Sequence, residues 1–116
     1  MDKYVIKNSG KEAVVKAYAD ASSGGTIDLA LSELAENGET VTGATITEIF
    51  WTCKPNKSVD IHRVTGGGDL EGSYYLANAG HWHFLSFNDE SYSTLPFRFV
   101  FDGYGTVIIR LRKTTT

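Results

Sequence analysis

The chain has 116 residues, a net charge of -3 and a single cysteine, Cys53. That is room for one domain with one core, taken here as 1–116. The charge balance gives no electrostatic ground for nucleic-acid binding, and one cysteine excludes an intrachain disulfide or a zinc site built from several thiolates.

Short β-type runs separated by turn residues fill the chain. Tyr4-Val5-Ile6 opens the first, Asn8-Ser9-Gly10-Lys11 is a turn, and Ala13 to Tyr18 follows, so the first two runs read as a hairpin. Ala21 to Gly25 breaks the pattern. Ile27, Leu29 and Leu31 then alternate with Thr26, Asp28 and Ala30, the period-2 signal of a half-buried strand. Ser32 to Asn37 is too short to stand as an independent helix and reads as a connector with Leu34 tucked under the core.

Thr40 to Cys53 is rich in β-branched and aromatic residues, with Ile49, Trp51 and Cys53 on one face and Glu48, Phe50 and Thr52 on the other. Cys53 lies in an apolar run and reads as a small buried hydrophobe rather than a catalytic thiol. Pro55 to Ser58 is a turn. Val59, Ile61 and Arg63 alternate with Asp60 and His62, and Gly66-Gly67-Gly68 is a loop. Leu70, Gly72, Tyr74 and Leu76 share a face of the next run. After Asn78-Ala79-Gly80, His81 to Phe87 places Trp82, Phe84 and Ser86 opposite His83, Leu85 and Phe87. A polar loop follows to Thr94. The last two runs are Phe97 to Phe101 and Thr106 to Lys113, the latter with Val107, Ile109 and Leu111 on one face and Ile108, Arg110 and Arg112 on the other.

Eight to nine strands at this spacing, with no regular βα alternation, predict an all-β fold, an antiparallel β-sandwich of jelly-roll type. Leu29, Trp51, Ile61, Phe99 and Ile109 are expected to face inward, and the terminal runs Lys3 to Lys7 and Val107 to Lys113 are expected at sheet edges. No apolar run approaches the ~20 residues of a bilayer span, so no membrane partner is expected. The pattern of a cleaved secretory signal is missing from the N-terminal residues.

Complete catalytic sets are hard to assemble from these residues. His81 and His83, at i and i+2 of a strand, point the same way, and His62 and Asp60 are the nearest candidates to complete a metal site with them. The plainer reading is a solvent-facing histidine pair beside a core Trp82, with no metal and no cofactor. Gly66-Gly67-Gly68 lacks the lysine, the Ser/Thr and the following helix of a phosphate loop. Asp69 and Glu71 form a carboxylate pair with no sign of a cleft around it. Tyr75, Trp82 and Tyr92, with Tyr74 and Asn78 nearby, are the candidate ligand-binding residues, since aromatic faces beside hydrogen-bonding groups suit sugars. Core packing is the competing use of such rings.

Three stretches carry a resemblance. The opening Tyr4-Val5-Ile6-Lys7-Asn8-Ser9-Gly10-Lys11-Glu12 is one. The second is Ile49-Phe50-Trp51 followed by Val59-Asp60-Ile61-His62-Arg63. The third is Gly105 through Lys113. In this order they are similar to a group of small virion structural proteins of tailed marine and cyanobacterial phages. His81-Trp82-His83 lies outside the likeness. The resemblance implies a non-enzymatic virion component, made in the host cytoplasm and present in many copies. A capsid decoration protein bound to phage capsid or other virion proteins, and itself homo-oligomeric, is the expectation. The alternative is a carbohydrate- or receptor-binding sandwich of a phage tail.

Overall fold

The computed structural model describes residues 1–36, 38–83 and 93–115. Among them the alternating runs become nine strands: β1 (Asp2–Ser9), β2 (Glu12–Ala19), β3 (Gly25–Leu29), β4 (Val41–Cys53), β5 (Ser58–Val64), β6 (Leu70–Ala77), β7 (Ala79–His83), β8 (Phe97–Phe101) and β9 (Gly105–Thr115). Strand accounts for 67% of the described residues, and no α-helix occurs among them, against roughly one-third helix in an average domain. The connector reduces to one 3-10 turn, Leu31–Leu34, whose Leu34 is fully buried.

Two antiparallel sheets form, a five-stranded one in the order β1-β2-β9-β4-β7 and a four-stranded one in the order β3-β8-β5-β6. The pairing has a simple rule. With β1 set aside, β2 pairs with β9, β3 with β8, β4 with β7 and β5 with β6. Contacts of β4 with β9 and of β5 with β8 roll this set of nested pairs into two layers. That is the double Greek key of a jelly roll, and β1 is an added strand at its rim.

The core is the sum of the inward phases of these strands. Ala13, Val15 and Ala17 of β2, Ile46 and Ile49 of β4, and Val107, Ile109 and Leu111 of β9 line the five-stranded sheet. Leu29, Val59, Ile61, Leu76, Phe97 and Phe99 line the other. Of the residues expected inward, Leu29, Ile61, Phe99 and Ile109 are buried, and Trp51 is half-buried against the core. Its ring lies under Gly80 of β7. A Cβ at Gly80 would come within 2.4 Å of it, so only glycine fits there. The indole Nε1–H donates to the Ala77 carbonyl at 3.0 Å, fixing the ring at the turn from β6 to β7.

Two cations sit in the same inward phase. Arg63 follows Val59 and Ile61 and is buried, with its guanidinium 3.7 Å from the Phe97 ring centroid. It donates to the Leu95 carbonyl at 2.7 Å and to the Ala44 carbonyl. Lys113 follows Leu111, and its side chain has no exposure at all. Its ammonium donates to Asn8 Oδ1, to the Leu34 carbonyl at 3.2 Å and to Glu39 Oε1 at 2.8 Å. Burying a charge is tolerable only with such full pairing. The lysine thereby ties together β1, β9, the 3-10 turn and the segment that leads into β4.

Three expectations are corrected. The final run is not an edge: β9 lies between β2 and β4, at the centre of its sheet. A terminal strand can fill a central slot because nested pairing brings the two ends of the chain together. Trp82 is not core, since it is 41% exposed at the rim between β6 and β7. Ala79 and Gly80 belong to β7 and not to a break, because the corner is made by Asn78 alone, at a φ of 59°. The rest of the expected run His81 to Phe87, beyond His83, lies outside the described residues.

Two stability measurements check this packing. Gly80→Ala should cost about 1–3 kcal/mol through overpacking against the Trp51 ring. Most of that cost should vanish in a Trp51→Ala background, and an equal cost in both backgrounds would mean the ring is not the obstacle. Lys113→Met should cost about 3–5 kcal/mol in chemical denaturation, because it strands a carboxylate and two other acceptors. A loss under about 1 kcal/mol is the behaviour of a surface site and would contradict the assignment.

Candidate binding faces

Strand alternation turns a second set of side chains outward on the five-stranded sheet. Because directly paired residues point to the same side, the registers define rows across the sheet. One row is Tyr4, Lys16, Ile108, Phe50 and His81, one residue from each strand. The rings of Phe50 and His81 stack with centroids 4.1 Å apart and planes 3° apart. Beside it runs a chain of linked polar groups. His81 Nε2 lies 2.6 Å from Glu48 Oε2, and Glu48 Oε1 lies 3.2 Å from Arg110 Nε. Arg110 Nη1 is 3.3 Å from Glu12 Oε1, which also meets Lys7 Nζ at 3.2 Å. The five groups come from all five strands. Each exposed pair contributes little to stability, about 0–1 kcal/mol. Their combined effect is to leave this face nearly charge-balanced, with an aromatic and aliphatic stripe alongside.

A shallow groove of about 180 Å³ lies on this face between Phe50, Thr52, Gly80, Thr106 and Ile108. It is below the roughly 300 Å³ at which small-molecule sites begin. A second hollow, of about 350 Å³, lies at one end of the sandwich between Cys53, Pro55, Tyr104 and Thr106. Burial pushes the Cys53 thiol up, and Asp102 adds to the shift. A raised thiol is a poor nucleophile.

The four-stranded sheet turns a different set outward. Tyr75 on β6 is 72% exposed and stands directly across from Asp60 on β5. Ser73 Oγ and His62 Nδ1 are 2.6 Å apart, and Arg98 forks onto Asp28 at 2.7 and 3.2 Å. Ser73, His62 and Asp60 have the residue types of a hydrolase triad. However, Asp60 Oδ2 is 3.9 Å from the ring Nε2, too far for the hydrogen bond that would orient the imidazole. Asp60 Oδ1 is buried with no hydrogen-bond partner among the described residues. Burial holds the Asp60 carboxyl above its ordinary value, with His62 opposing the shift and Asp102 reinforcing it.

The sequence-predicted site residues do not share one surface. Trp82 packs edge-on against Tyr74, with ring centroids 5.7 Å apart and planes at 88°, in the gap between the sheets. Tyr75, next along β6, faces the opposite way. Tyr92 lies outside the described residues. Asn78 serves the β6–β7 corner: its carbonyl accepts from the Cys53 N–H and its Oδ1 from the Asn56 N–H. His81 and His83 share a face as expected, with rings 6.4 Å apart. His62 belongs to the other sheet and bonds to Ser73. Among the described residues no group of three or more His, Cys, Asp or Glu is arranged to hold a metal. Gly66-Gly67-Gly68 is the turn of the β5–β6 hairpin, closed by the Gly68 N–H on the Thr65 carbonyl at 2.9 Å.

Sequence reasoning missed the ion-pair chain and the Asp60–His62–Ser73 group. The phase of each residue was visible, but which strands lie side by side was not. No family model matches this chain, and no curated protein matches it.

Asp60 yields a pH test. Its folded-state pKa is raised, so the folded protein holds that proton more tightly than the unfolded chain. The resulting stability is present below the unfolded carboxylate value and is lost as pH rises through the folded one. Asp60→Asn should therefore raise Tm at neutral pH, and the gain should close as pH falls to about 3. Asp28, held down by Arg98, and Glu39, held down by Lys113, run the other way. Their stabilisation is present at neutral pH and fades on acidification, so the Tm of the unmodified protein should still fall in acid. A gain from Asp60→Asn that persists unchanged at low pH would exclude titration of Asp60 as its source.

Proposed function

We propose that this chain is a non-enzymatic structural protein of a bacteriophage particle, a capsid decoration protein that binds the head and stabilises it. The observation that carries the reading is the jelly-roll connection of the strands, an architecture shared by viral capsid domains, lectins and cupins. It occurs here in a chain whose opening, central and closing segments resemble small virion proteins of tailed phages. A cupin would keep metal ligands inside the roll. Among the described residues the interior is filled by apolar side chains with Thr45, Ser58, Arg63 and Lys113. What remains for function is surface: a nearly charge-balanced five-stranded face and a rim strand that exposes Tyr4, Val5 and Ile6. Both suit lasting contact with other proteins better than the capture of a small substrate.

A second reading is a carbohydrate- or receptor-binding module of a phage tail. Tyr75 favours it, as an exposed ring across from Asp60 and close to the Ser73 hydroxyl. Sugars stack on such rings and hydrogen-bond to such neighbours.

Mass spectrometry of purified particles, followed by electron microscopy of particles carrying labelled protein, separates the two. A decoration protein appears at repeated, symmetric positions on the head. Particles lacking it should release their DNA at a lower temperature than complete ones. Absence from purified particles, together with glycan binding that Tyr75→Ala abolishes, would replace the decoration role with the second reading.

A further inference from the structure

We propose that β1 is a self-pairing edge: two copies of this chain join β1 to β1, antiparallel, about a two-fold axis at Tyr4. The five-stranded sheet of each copy, in which β1 is the outermost strand, then becomes half of one continuous sheet. The inference stands on the strand itself and does not depend on the particle role.

The first observation is where the apolar residues of β1 are spent. Tyr4, Val5 and Ile6 are 49%, 37% and 55% exposed. An edge strand with one wet face should alternate apolar and polar. A continuous apolar run departs from that pattern, and at an unpaired edge it offers both apolar side chains and free backbone groups to another strand. Two lysines and the bulge at Ile6 are protections of the kind found on edges, but both lysine heads are held within the copy and leave Tyr4, Val5 and Ile6 uncovered. The ammonium of Lys3 is turned inward onto the Asp28 carbonyl and Glu33, and that of Lys7 rests on Glu12. Proline is absent from the strand.

The second observation is charge complementarity in one register. The pairing of β1 with β2 slips between Val5 and Lys7, so Ile6 is the extra residue of a bulge. Counting from the partners on β2, Asp2, Tyr4 and Lys7 face outward, whereas Lys3, Val5 and Asn8 face inward. A two-fold axis perpendicular to the sheet keeps outward residues opposite outward ones. With the axis at Tyr4, the two Tyr4 residues face each other, and Asp2 of each copy faces Lys7 of the other. Inside, Lys3 faces Val5. Moving the axis one residue toward the N-terminus sets Lys3 against Lys3. Moving it one residue toward the C-terminus leaves Asp2 without an opposite charge. The register centred on Tyr4 is the one that forms both ion pairs and opposes no like charges.

The outer row of Tyr4, Lys16, Ile108, Phe50 and His81 then runs on into the second copy, doubling the length of the stripe. Tyr4 already stacks on Tyr18, with ring centroids 6.0 Å apart and planes 12° apart. The centre of the joined sheet would carry a diagonal line of four tyrosines, Tyr18 and Tyr4 of each copy.

Cysteine cross-linking tests the register. Directly opposed residues of an antiparallel pair have Cα atoms about 4.5–5.5 Å apart, within the roughly 4.4–6.8 Å that a disulfide spans. Under mild oxidation, Tyr4→Cys should give a disulfide-linked dimer that the unmodified protein, with its half-buried Cys53, does not. Asp2→Cys alone and Lys7→Cys alone should not cross-link, but a mixture of the two should give the mixed dimer. The mixed pair keeps Tyr4 intact, so it still reports if Tyr4→Cys folds poorly. Sedimentation of the unmodified protein across a concentration series should show a monomer–dimer equilibrium that Tyr4→Glu abolishes, the variant still unfolding cooperatively with a Tm that no longer depends on concentration. A protein that sediments as a monomer throughout, or cross-linking equally strong at positions 2, 4 and 7, would overturn the proposal. Neither result bears on whether the chain is found in particles.

Discussion

The whole sandwich depends on β9 reaching the slot between β2 and β4. β2 is in register with β9 from Glu12 with Arg112 to Ala19 with Gly105, and β4 follows it on the other side from Val41 to Cys53. Without the last strand, the five-stranded sheet falls into a β1–β2 hairpin and a β4–β7 pair with nothing between them. The inward row Val107, Ile109, Leu111 supplies the middle of the core, and Lys113 closes its end. Every such contact joins residues far apart in the chain, so loop closure must be met before burial returns any stabilisation.

The rim of the roll is sealed by two unlike devices. On the side where β1 faces β3, polar groups make the seal: Lys3 reaches the Asp28 carbonyl and Glu33, Asn8 donates to the Leu34 carbonyl at 2.9 Å, and Lys113 joins Asn8 and the 3-10 turn to Glu39. On the side where β6 faces β7, aromatic groups make it. Trp51 lies under Gly80, and Trp82 packs edge-on against Tyr74. The polar seal is sensitive to acid, because Glu39 must stay ionised to hold Lys113. The aromatic seal carries no charge. The candidate glycan-binding residue Trp82 is therefore part of a closure, and its exposure is that of a rim residue. Tyr75, on the outer face and 72% exposed, packs in no such closure among the described residues, which is why it carries the second functional reading alone.

Both functional ideas draw on what the core leaves over. Two sheets packed face to face use one side of every strand, and the other side is free to vary. On the four-stranded sheet that freedom yields a polar field around His62 and Arg98. On the five-stranded sheet it yields a balanced line of charge beside an apolar stripe that ends at β1. A surface of that second kind gains from contact with another protein surface through apolar burial, and the ion pairs keep it from binding one sign of charge indiscriminately.

By itself the sequence determined the strands, their faces and the class of fold. Period-2 alternation is a local property, set by the pleat, and it survives into any sheet. Ile27 and Leu29, Val59 and Ile61, and Val107, Ile109 and Leu111 could therefore be assigned inward without knowing their neighbours. Even the buried Arg63 and Lys113 stood in the inward phase, although nothing local showed what would neutralise them. Tertiary structure alone decided adjacency. It put the C-terminal strand in the centre, although both terminal runs were expected at edges and only β1 lies there, paired Glu48 with His81 and Arg110, and set Tyr75 and Trp82 on different surfaces. These outcomes rest on hydrogen-bonded registers between segments up to about a hundred residues apart, as in Glu12 with Arg112. A periodicity of two says which way a side chain points, and it carries no information about which strand lies beside it.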